Sequence, residues 1–105
     1  MGQAAKSEIA IFLNNPEVDI PLDLTSATAL QQAMLEHYYK TNPDAVGKPD
    51  ITIVDFEMFE GEIDLTLYST RRQNLEFQVD LLNDYLDMTH FDIIDEVTED
   101  TWVQS

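Results

Sequence analysis

Cysteine is absent from the 105-residue chain, so no disulfide framework or thiolate metal site can be built, which fits a reducing compartment. Glycine occurs only at positions 2, 47 and 61, too few for a loop that cradles phosphate through its backbone. His37 and His90 are the only imidazoles, and neither stands in a metal-ligand spacing or beside a nucleophile motif. Long apolar runs are missing too. Nothing approaches the roughly 20 residues that cross a bilayer, and no basic segment followed by a hydrophobic one opens the chain. The start Met1-Gly2-Gln3-Ala4-Ala5-Lys6-Ser7 misses a myristoylation signal by one place, the serine coming late. A cytoplasmic protein with no membrane contact is expected.

The scarcest class is cationic. Five Lys and Arg stand against 21 Asp and Glu, a formal net charge of −16. Direct binding to nucleic acid or to an anionic membrane is excluded as a general property, because phosphate is held by cations that displace its counterions. The acid is concentrated in the second half: residues 1–50 carry seven acids and three bases, residues 51–105 fourteen acids and only Arg71 and Arg72. These two arginines are expected to offset Glu76 and Asp80 or to make one contact of a larger interface.

What is present is enough for a core. The chain is 44% hydrophobic with ten Phe, Tyr and Trp residues, which argues for one acidic domain over residues 1–105 rather than a disordered acidic tail, with fraying confined to the last eight or so residues. Ile9, Ile11 and Leu13 alternate along a first strand that Asn14-Asn15-Pro16 stops. Thr25 or Ser26 can cap a helix running to about Thr41, in which Leu30, Met34 and Tyr38, with Ala27 and Ala33, form an apolar stripe. Asn42-Pro43 ends it.

From Ile51 the period becomes two. A turn at Glu60-Gly61 pairs Met58 with Ile63, Phe56 with Leu65 and Val54 with Leu67, all apolar. It pairs Glu57 with Asp64, Asp55 with Thr66 and Ile53 with Tyr68 on the other face. A second turn at Arg71-Arg72-Gln73 continues the apolar face, setting Phe77 against Leu67, Val79 against Leu65 and Leu81 against Ile63. Farther on, Leu82, Tyr85, Leu86 and Met88 suit a short helix, and Phe91, Ile93 and Val97 a strand. The expected fold class is α+β: one main helix packed on a mostly antiparallel sheet of three to five strands.

This register places Glu57, Asp64 and Asp80 side by side across three strands, with Asp55, Glu62 and Glu76 on the same outward face. Same-face residues repeat at roughly 6.8 Å along a strand and 4.8 Å between strands, so such a face is a lattice of negative charge able to imitate a polyanion, or else an ordinary solvated surface. A second acidic group, Asp92, Asp95, Glu96, Glu99 and Asp100, adjoins Trp102, an aromatic anchor for a basic groove if it is not simply a solvated tail. A calcium-loop pattern is missing, and paired carboxylates act as acid and base only in a cleft that separates their pKa values, which an open sheet face does not supply. No metal, cofactor or catalytic residue is expected.

In size and charge the chain resembles the small acidic proteins that phages use against CRISPR or restriction enzymes, and the immunity proteins that neutralise nuclease toxins. The resemblance implies a non-catalytic inhibitor of a basic, nucleic-acid-binding protein such as a nuclease or CRISPR effector. The alternative is a structural or assembly subunit, phage or bacterial, whose acidity serves solubility or a high-salt environment.

Overall fold

The computed structural model describes residues 2–13, 19–89 and 91–103. In order these form β1 (Gly2–Leu13), a 3-10 turn (Leu22–Leu24), α1 (Ala27–Thr41), β2 (Ile53–Phe59), β3 (Glu62–Ser69), α2 (Arg72–Leu86) and β4 (Phe91–Val103). The four strands make one sheet in the order β2-β3-β1-β4, every neighbouring pair antiparallel, with α1 and α2 packed on it. This is an α+β fold with the element and strand order of the ferredoxin-like, split β-α-β arrangement.

α1 starts where the Ser26 side chain accepts a hydrogen bond from the Ala29 amide at 3.0 Å, and it stops at Asn42. Its inward stripe is Leu30, Ala33, Met34 and Leu35, and Tyr38 lies half-buried, edge-on to Phe77 of α2 at 5.5 Å. The β2–β3 hairpin has the expected pairs Met58–Ile63, Phe56–Leu65, Glu57–Asp64 and Asp55–Thr66. Gly61 takes φ of +77°, while no non-glycine among the described residues has positive φ, so the awkward Glu60 position is relieved by its neighbour. A Cβ at Gly61 would meet nothing within 4 Å. Gly61→Ala is therefore expected to cost about 1 kcal/mol through backbone conformation alone, read as a lower urea midpoint with unchanged slope.

Two expectations are corrected. Val54 does not face Leu67, nor Ile53 Tyr68: Ile53 takes the place opposite Leu67, and Val54 is the extra residue of a bulge, 52% exposed. The third strand at Phe77–Leu81 is instead the middle of α2. Residues 75, 77, 79 and 81 alternate, but over fifteen residues Leu75, Gln78, Leu82, Tyr85 and Leu86 form a buried helical stripe. Packing rewards the longer period, and Arg71-Arg72-Gln73 offers no residue suited to a tight hairpin. The short helix expected from Leu82 is the end of α2, with Met88 beyond it and exposed.

The place beside β3 is taken by β1, whose Ser7, Ile9 and Ile11 lie opposite Leu67, Leu65 and Ile63 and are buried with them under the helices. β4 completes the sheet with Phe91 and Ile93 facing the core, and it too carries a bulge. Ile11 pairs with Ile93 but Ala10 with Asp95, leaving Ile94 extra and 61% exposed. Both edge strands are thus interrupted by a bulge, a common way of blunting an edge.

Candidate functional site

The helices cover one face of the sheet and leave the other open. Alternation in β1 and β3 assigns Glu8, Ala10, Phe12, Glu62, Asp64 and Thr66 to the open face, since their neighbours Ile9, Ile11, Ile63, Leu65 and Leu67 are the buried ones. Each bulge then shifts the parity of its edge strand by one residue. Without these shifts Val54 rather than Ile53 would lie opposite Leu67, and Asp95 would fall on the helix side opposite Ile9. With them, Ile53 takes the place opposite Leu67 and Asp95 lies opposite Ala10, while Asp55 stays opposite Thr66 as the turn sets it. The β4 bulge therefore aims Asp95 onto the open face, whereas Asp55 and Glu57 reach it through the register set at the Glu60-Gly61 turn.

Read across the sheet, one row is Glu57, Asp64, Ala10 and Asp95, and the next is Asp55, Thr66, Glu8 and Val97. A third row, Phe59, Glu62, Phe12 and Asp92, closes one end. The middle of this surface is a shallow concavity of about 310 Å³ lined by Glu8, Asp55, Glu57, Asp64 and Asp95 among others. Lys6, opposite Tyr68, is the cation that β1 contributes to the same face.

Of the expected site residues, Asp55, Glu57, Glu62, Asp64, Asp92 and Asp95 come together here. Glu76 and Asp80 do not: they lie on α2 and border a groove of about 550 Å³ with Asp84, Tyr38, Phe77 and Leu81, so Asp80 never stands beside Asp64. Glu96 points to the helix side, where its carboxylate accepts from the buried Ser7 hydroxyl at 3.4 Å. Glu99, Asp100 and Trp102 belong to β4 by backbone, opposite Lys6, Ala5 and Gln3, but their side chains lie outside the described residues. His90 lies outside them altogether. Glu8 joins the face unexpectedly; the signal was its place on the polar side of the Ile9/Ile11 alternation.

A separate cluster ties α1, α2 and the 3-10 turn together. Buried His37 shares a hydrogen bond between Nε2 and Asp84 Oδ2 at 2.8 Å, its ring stands edge-on to Tyr85 at 5.9 Å, and the Tyr85 hydroxyl donates to Asp23. Burial, and then the bond to Asp23, push the Tyr85 hydroxyl well above the ordinary tyrosine value of 10.0. A folded-state pKa above the unfolded one means that the unfolded chain loses its proton first. The contribution of Tyr85 to stability is therefore complete below pH 10.0 and is lost as pH rises beyond it. Melting temperature should fall on raising pH from about 9 to 11, and less steeply in Tyr85→Phe.

Among the described residues no group of three or more His, Cys, Asp or Glu side chains converges so as to hold a metal ion. No helix of the described residues is long and apolar enough to cross a membrane. Compared with family models, with curated proteins and with solved structures, the chain matches none.

Proposed function

We propose that this protein is a non-catalytic acidic binder of the cytoplasm that occupies the nucleic-acid-binding surface of a basic partner, such as a nuclease or CRISPR effector. The observation that carries this reading is the open face, where carboxylates from all four strands form adjoining rows and the β4 bulge adds Asp95. Four-stranded sheets that bind RNA on an open face do so with aromatics that stack on bases, in positively charged surroundings. Here the same kind of platform has the opposite sign, and its complement is a surface built to hold phosphates. Phe59, 50% exposed at one end of the face, supplies an apolar contact beside the charges.

A polyanion mimic competes with the polyanion. Immobilised protein incubated with host lysate at low salt should capture a basic nucleic-acid-binding protein, and added duplex DNA or RNA should release it. Capture should also weaken as salt rises from about 50 to 200 mM. A captured protein indifferent to both nucleic acid and salt would point to a structural subunit and sink the mimicry.

A further inference from the structure

We propose that the free edge of β2, residues 55–59, is a strand-docking site for an extended segment of the basic partner in which Lys or Arg alternates with apolar residues. The inference rests on the reading of the acidic face above and adds the backbone that reads the partner.

Among the described residues β2 is an edge strand whose sole neighbour in the sheet is β3. Phe59 and Glu62 flank the two-residue turn and form its closing hydrogen-bonded pair, after which hydrogen-bonded and non-hydrogen-bonded pairs alternate. Phe59, Glu57 and Asp55 therefore direct their backbone groups at β3, whereas Phe56 and Met58 direct N–H and C=O away from the sheet. The bulge at Val54 ends the regular edge on one side and the turn ends it on the other.

The side chains along this edge are amphipathic across the sheet. Asp55 and Glu57 lie on the open face, with Asp64 beside Glu57, while Phe56 and Met58 lie on the helix face, Met58 being 39% exposed. A strand added to the edge sets alternate residues against these two faces, so its cations meet Asp55 and Glu57 and its apolar residues meet Phe56 and Met58. The other edge is different in kind: on β4, Asp95 lies on the open face and Glu96 on the helix side. A second copy of this chain is the wrong occupant as well. A twofold centred on Glu57 sets it opposite Glu57 of the second copy, one centred on Phe56 sets it opposite Asp55, like charges in either case, and one centred on Met58 pairs only residues 57–59 of each copy before the turn interrupts.

The test uses the isotope-labelled protein and a seven-residue peptide alternating Lys and Val, together with two versions N-methylated on alternate amides, one for each side of the peptide. The parent peptide should slow exchange of the Phe56 and Met58 amides, and the version methylated on the docking side should bind about tenfold more weakly. Met58→Pro removes an outward N–H and no ladder bond, so it should keep β2–β3 amide protection and lose the peptide by a similar factor. If all three peptides bind alike, with salt-sensitive affinity and no protection at Phe56 and Met58, the edge proposal fails and the acidic-face reading stands. If none binds at low salt, both fail. If those amides are protected without peptide as protein concentration rises, the occupant is a second copy and the proposal is overturned.

Discussion

Reversing Glu57, Asp64 and Asp95 together to lysine is expected to abolish capture of the proposed basic partner while leaving the protein folded. These three carboxylates form one row with Ala10 across the open face, so their reversal converts the middle of the face from negative to positive. Reversing Glu76, Asp80 and Asp87 changes the net charge equally but acts on α2 and the residue that caps its C-terminus, off the open face. That control should keep most of its capture, because distant charges act only through a field that salt screens over about 8 Å at physiological ionic strength. Equal loss in the two variants would show that net charge rather than this face directs binding. Stability separates from binding in the single variant Asp64→Lys. It replaces a like-charge pair directly opposite Glu57 with an opposite-charge pair, worth about 0.5–1 kcal/mol, while still weakening capture. In the triple variant residues 57 and 64 remain alike in sign, so that gain is not expected there.

The parts of this arrangement that were legible in the sequence are local ones. α1 announces itself through the Ser26 cap and the Leu30/Met34 spacing, and the β2–β3 hairpin through a turn glycine and a register in which apolar residues meet apolar residues. α2 was obscured because its central seven residues satisfy a strand pattern, and because the residue that completes its buried stripe, Gln78, looks like a surface residue in the sequence. The pairing of β1 with β3 joins residues fifty or more apart, and no local signal marks it. The acidic lattice was therefore expected from the right hairpin with the wrong neighbour: Asp80 stood in for Ala10 and Asp95, and Glu8 was overlooked. The bulges left no trace either. Ile53-Val54 and Ile93-Ile94 are apolar pairs in which either residue could face the core, and only packing against the helices selects Ile53 and Ile93.

Gln78→Met is expected to destabilise the protein by about 2–4 kcal/mol, although the new side chain has nearly the same shape and greater hydrophobicity. Gln78 is fully buried on α2. Its Oε1 accepts from the Thr52 amide at 2.9 Å, and its Nε2 donates to the Tyr68 carbonyl at 2.9 Å and to Asn74 Oδ1 at 2.8 Å. Asn74 in turn donates to the Asp50 carbonyl at 3.0 Å. One side chain thus holds the chain entering β2 against the end of β3, at the point where the bulge interrupts the ladder, beside the Tyr68 N–H to Thr52 C=O bond of 3.1 Å. Methionine leaves the half-buried Thr52 amide without that acceptor and the Tyr68 carbonyl without that donor, and together these outweigh the methylene-sized gain in apolar burial. Gln78→Glu separates the two roles: a carboxylate still accepts from Thr52 but cannot donate to Tyr68, whereas the protonated acid can do both. Burial raises the pKa of the introduced acid, so the deficit of Gln78→Glu relative to the native chain should shrink as pH is lowered. Urea unfolding of both variants at neutral and mildly acid pH measures this, and a Gln78→Met variant as stable as the native chain would refute the clamp. Asp55 and Glu57 follow directly on the clamped segment, so the same variants should weaken partner capture without altering a single residue of the acidic face.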